Sequence, residues 1–84
     1  MLFRSGQLSP GDPPDLRIQT EESIATTEHG VKDINRPLNE QEKKTLSQIK
    51  EFLKQAHTAL TSGDIDGAHT LAVKAKVLFA EISQ

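Results

Sequence analysis

The sequence predicts an all-α fold: an antiparallel helical hairpin over residues 39–62 and 64–82, completed to a three-helix bundle by a weaker helix at about 21–35. A disordered N-terminal leader precedes it. Three observations carry this reading. Apolar residues recur at alternating three- and four-residue intervals from Leu46 to Leu60 and again from Ile65 to Ile82, the spacing that keeps one helix face apolar. Between the two runs stand Gly63, a residue that stops helices, and Asp64, one that starts them. Upstream, Pro, Gly, Ser and Asp crowd residues 9–15, and no apolar period crosses them.

Size and composition limit what the fold can be. Eighty-four residues make one small domain at most, near the length at which a single core is only marginally stabilising. Apolar residues are 35% of the chain, below the ~45–50% of ordinary globular domains, a benchmark that also counts glycine. Phe3, Phe52 and Phe79 are the only aromatics. Part of the chain therefore stays unfolded, or folds by borrowing apolar surface from a partner. The net charge of −2 falls wholly on residues 1–37, with four basic against six acidic groups, while residues 38–84 balance six against six. Neither half has the basic excess that phosphate-backbone binding requires, so no nucleic-acid partner is expected. Without cysteine there is no disulfide, thiolate nucleophile or Cys-based zinc site. The longest apolar run is Val77-Leu78-Phe79-Ala80, far short of a membrane span, and Met1-Leu2-Phe3-Arg4 opens no secretory h-region. The abrupt entry into a polar, Pro-rich stretch also fits a truncated or internally started product of a longer protein.

Taken in order, residues 1–19 read as a flexible leader and residues 20–84 as the helical domain. Within the domain, Thr20 is placed as an N-cap, with Glu21 and Glu22 in the first turn where the helix dipole favours negative charge. Ile24, Thr27, Val31 and Ile34 then share a face. Gly30 weakens this helix by about 1 kcal/mol relative to alanine, and Pro37 closes the segment by pushing Arg36 out of the α region. The next helix has Asn39 as N-cap and Glu42 three residues on, a capping-box pattern. Leu46, Ile49, Leu53, Ala56 and Leu60, with Phe52 and Ala59 on the flank, occupy an arc of roughly 120–140°, the width of a core-facing stripe. Glu40 precedes Lys44 by one turn as a surface pair. Asp64 caps the last helix, whose face is Ile65, Ala68, Ala72, Ala75, Phe79 and Ile82, flanked by Leu71 and Leu78. So short a connection forces an antiparallel return. Equal distances from the turn set Ala56 beside Ala68, Leu53 near Ala72, Ile49 near Ala75 and Leu46 near Phe79, and the alanines allow a close approach of the axes.

Around this turn, Gly63-Asp64-Ile65, then Ala68, then Lys74-Ala75, with Phe52 and Ala56 upstream, resemble a single tetratricopeptide-like helical hairpin over residues 52–78. Gln55, Ala59, Ala72 and Ala80 depart from that pattern, and the chain holds no second copy, whereas a solenoid needs about three repeats. The arrangement is also similar to the C-terminal helical modules of uncharacterised bacterial proteins. That resemblance implies a structural piece of a larger envelope or secreted protein.

Candidate chemistry is sparse. His57 and His69 lie six residues either side of Gly63, and with Asp66 they supply at most three convergent ligands. Without a His-x3-His spacing they read as exposed edge residues, so neither metal nor cofactor is expected, and a weak metal- or small-ligand-binding role stands only as the third reading. Serines and threonines, including Thr20 and Ser62, read as caps and surface positions, and no phosphate-binding Gly-rich loop occurs. No enzymatic activity is expected. Lys43, Lys50, Lys54 and His57 line one side of the first strong helix. Interrupted by Glu51 and lacking an aromatic platform, they read as a solvated face rather than an anion site.

Val73 and Val77, one turn apart, project away from the hairpin seam. That seam is wider than a two-helix contact covers, leaving Phe52, Ala59, Leu71 and Leu78 partly exposed. Phe52, Leu71, Val73, Val77 and Leu78 are accordingly the expected partner-binding residues, for another protein or for self-association. Ile24, Val31 and Ile34 can cover part of the strip, so completion by the first helix and completion by a partner both stay open.

Overall fold

The computed structural model describes residues 13–83; of the leader expected over residues 1–19, residues 1–12 lie outside the described part. The described residues form three α-helices: α1 (Pro13–Lys32), α2 (Glu40–Thr61) and α3 (Ile65–Ile82). None of the three is long and apolar enough to cross a membrane.

The first helix corrects the sequence reading at its start. It opens at Pro13, inside the expected leader, so residues 13–19 belong to the helical body. Prolines break helices because they lack an N–H and crowd the preceding turn. Within the first turn the N–H has no intrahelical acceptor in any case, and the fixed φ already suits a helix. Asp15 completes that turn as an acid at the positive end of the dipole, and His29 and Lys32 stand in the last turn. Thr20 is not a cap: it is fully buried in mid-helix. The buried face runs Thr20, Ile24, Thr27, with Val31 and Ile34 half-buried against the core. Thr27 returns its hydroxyl to the Ser23 carbonyl at 2.9 Å, which satisfies the donor without an outside partner.

Gly30 has a packing role that its helix propensity hides. A Cβ built there would stand 2.5 Å from Cζ of Phe79. The missing side chain is therefore the seat on which the α3 phenyl ring lies against the α1 backbone.

The second helix begins as its sequence dictates. Asn39 Oδ1 accepts from the Glu42 N–H at 2.7 Å and the Asn39 N–H donates to Glu42 Oε1 at 3.0 Å, closing a reciprocal capping box. Its end is a Schellman turn. Gly63, at φ +88°, donates to the Leu60 carbonyl, and Asp64 donates to the Ala59 carbonyl at 2.8 Å. Asp64 then starts α3 by accepting from the Gly67 N–H at 3.0 Å. A Cβ on residue 67 would meet that carboxylate as it now lies, and the flexible Asp64 side chain would have to turn to make room for it.

Most helix–helix contact lies between α2 and α3; α1 rests mainly on α3 and touches α2 least. The buried apolar core comprises Ile24, then Ile49, Leu53, Ala56, Ala59 and Leu60 of α2, then Ala68, Ala72, Ala75 and Ile82 of α3. Ala59 is thus buried rather than partly exposed. Thr45, which the apolar pattern passes over, is buried as well.

Two arginines from outside α2 and α3 close the ends of those helices. Neither α2 nor α3 carries a basic residue in its last turn, where a cation would complement the free carbonyls. Arg17 of α1 donates to the Leu60 carbonyl at 3.2 Å, and Arg36 of the α1–α2 loop donates to the Ile82 carbonyl. Arg36 also donates to Glu42 from both terminal guanidinium nitrogens, Nη1 to Oε1 at 3.3 Å and Nη2 to Oε2 at 3.0 Å. One side chain so fastens the loop, the start of α2 and the end of α3. The Arg36 hydrogen bonds first, and the Asn39 N–H second, hold the Glu42 carboxyl below its ordinary value of 4.5.

Candidate interaction surface

Phe52, Val73, Val77 and Leu78, four of the five residues expected to bind a partner, line one shallow groove of about 370 Å³ between α2 and α3. Gln48 and Lys74 complete its walls. The groove exists because helical period sorts these residues differently. Ala68, Ala72 and Ala75 take the face of α3 turned to the core, and Val73 and Val77 fall on the opposite side. Their exposure is high for valines, 41% and 55%. Phe52 and Leu78 sit at the margin, half-buried and packed on the core. Lys74 stands with its ammonium 5.8 Å from the centre of the Phe52 ring, within cation–π range. Its aliphatic stem adds apolar surface to the groove while its charge stays in water. Leu71, the fifth residue, is half-buried against the core and lies outside the groove lining.

The histidines are separated. His57 Nε2 lies 2.8 Å from Glu28 Oε2 of α1, whereas His69 Nδ1 faces the buried Thr20 hydroxyl at 3.5 Å. Each imidazole meets a different part of α1. Among the described residues no three His, Cys, Asp or Glu side chains gather as a metal-ligand group.

Some surface features escape the sequence reading. Ile18, on α1, is half exposed at 50%; it fell within the expected leader and so was not assigned to a face. Lys32 of α1 meets Lys50 and Lys54 of α2 across an open cleft. Periodicity within one helix carries no signal for that meeting, because it depends on how two helices are set against each other.

Comparison with protein-family models, with curated proteins and with solved structures returns no match.

Proposed function

We propose that this chain is a non-enzymatic protein–protein interaction or oligomerisation module, with α2 and α3 as an antiparallel hairpin to which α1 adds a third helix. The groove of Phe52, Val73, Val77 and Leu78 is its contact face. The observation that carries the reading is the exposure of Val73 and Val77, at i and i+4 on one helix, beside half-buried Phe52 and Leu78. Exposed apolar residues scattered singly are ordinary, but here they adjoin and share a depression. A strip one helix wide suits a second helix laid along it, from another protein or a second copy of the chain. The resemblance to a single tetratricopeptide-like hairpin fits a small helical module, but with one copy it implies no concave groove of stacked repeats. No cofactor enters this reading, and nucleic acid is not the partner.

Sedimentation equilibrium over a wide concentration range tests it. The expected result is reversible self-association, or binding of a helical partner, that Val77→Asp abolishes while the melting temperature holds. A monomer at every concentration, with Val77→Asp indistinguishable from the parent in all binding assays, favours the other reading. In that case the module is a structural piece of a larger protein with no binding role of its own.

A further inference from the structure

A second surface, on the opposite side of α2, has its own chemistry. Because α1 touches α2 least, a cleft of about 680 Å³ stays open between them. Its apolar floor includes Val31 and Leu53, and Lys32, Lys50 and Lys54 stand around it. Glu28 is the one acidic side chain in the lining, and it is already engaged with His57 at 2.8 Å. That Glu28–His57 bridge closes the cleft at one end; on its far side a separate depression of about 250 Å³ is lined by Arg17, Glu21 and Leu60, with Arg17 paired to Glu21 at 3.7 Å. On a chain of net charge −2, the three lysines around the cleft are a local concentration of positive charge beside a narrow apolar floor.

We infer that the α1–α2 cleft is a docking groove for an acidic amphipathic helix of a partner protein. Three features select that occupant. The lysine-rimmed cleft follows α2 from Lys50 to Thr58, roughly 12 Å at 1.5 Å per residue, which is room for about two turns of a docked helix. Half-buried Val31 and the aliphatic stems of the lysines give a narrow floor for apolar residues at i and i+3 or i+4, with Leu53 buried beneath it at 4% exposure. The lysines on both rims match carboxylates flanking such a stripe, a complementarity that raises the association rate and rejects basic competitors. A helix seated there makes a four-helix arrangement out of three. The inference stands apart from the α2–α3 groove, which faces elsewhere and is lined by different residues.

The test uses the full chain and a synthetic helical peptide of about 16 residues, with leucines at three-four spacing flanked by glutamates. Controls are the same peptide with lysines for glutamates, and an oligouridylate. The expected outcome is saturable binding with amide shifts at Val31, Leu53 and Lys54. Raising salt from about 0.05 to 0.5 M weakens it, as screening requires. Lys50→Glu with Lys54→Glu reduces affinity by at least about tenfold, whereas Val73→Lys with Val77→Lys changes it by less than about twofold. Circular dichroism checks that each variant is folded; the salt series on the parent chain bears on the inference even where a variant is not. Absence of saturable binding overturns the inference. So does equal binding of the lysine peptide, preference for the oligouridylate, or shifts confined to Phe52, Val73 and Val77.

Discussion

At the scale of single residues, glycine and threonine are used here against their averages. Gly30 costs its helix about 1 kcal/mol relative to alanine, and by propensity alone Gly30→Ala should stabilise. Yet the new methyl would meet Phe79 Cζ at 2.5 Å and Cε2 at 2.8 Å, and the ring must move off the α1 backbone. Overpacking of this kind costs about 1–3 kcal/mol, so the clash wins. The expected outcome is a net loss of about 1 kcal/mol. In a Phe79→Leu background the same change turns stabilising, a sign reversal that a double-mutant cycle by urea denaturation reads directly. Additive effects in that cycle would mean the ring does not seat on Gly30. Thr20 shows why the start of α1 was illegible. Its preference for capping positions drew a boundary at residue 20, while its actual place is fully buried and its hydroxyl faces His69. A threonine is as fit to fill a small buried site as to cap, and only the tertiary neighbour decides between them.

At the scale of elements, the caps of α2 and α3 were legible because both partners lie within one turn, although Glu40 pairs with Lys43 rather than with the expected Lys44. Asn39 with Glu42, Gly63 with Leu60, and Asp64 with Gly67 are contacts of neighbouring residues, and they are written in the sequence. Arg17 on Leu60 and Arg36 on Ile82 span more than 40 residues, and nothing in local spacing announces them. Glu42 joins the two kinds. Its folded-state pKa lies below the ordinary 4.5, first through Arg36 and then through Asn39. A carboxyl shifted in that direction contributes stability that is complete above its unfolded value. The contribution fades as pH falls through the folded value, because the unfolded chain then binds the proton more readily. Arg36 keeps its charge throughout this range. Glu42→Gln is therefore expected to lower the thermal midpoint at pH 7 and to flatten the fall in stability below about pH 4.5. Melting curves from pH 7 to pH 2 check both; a Gln variant whose acid limb parallels the parent's would remove Glu42 from the account.

At the scale of the whole molecule, the distribution of core residues predicts how the fold comes apart. Of the ten buried hydrophobics in the described residues, α1 contributes only Ile24, and α2 and α3 supply the rest. The other fully or nearly buried side chains on α1 are the threonines Thr20 and Thr27, which bury less apolar area than leucine and bring hydroxyls that need partners. Its face is in fact the least amphipathic of the three in sequence terms, which is why its extent was the hardest to read and its contact with α2 remains slight. Against this, Phe79 on Gly30 and the arginines at both ends hold α1 by a few specific contacts rather than by a broad apolar seam. Opening of α1 alone exposes Ile24 and uncovers part of α3, but leaves the alanine-rich seam between α2 and α3 intact. Native-state hydrogen exchange in low denaturant should then resolve two levels. Amides of Glu22–Val31 exchange through a subglobal opening at lower free energy, and those of Ile49–Leu60 and Ala68–Phe79 through global unfolding. Phe79→Leu is expected to lower both levels, since the contact of its ring with α1 is lost in either opening, whereas Ala72→Gly in the α2–α3 seam lowers only the second. A single level shared by all three helices, moved equally by Ala72→Gly, would show that α1 is as much a part of the cooperative unit as the helices it leans on.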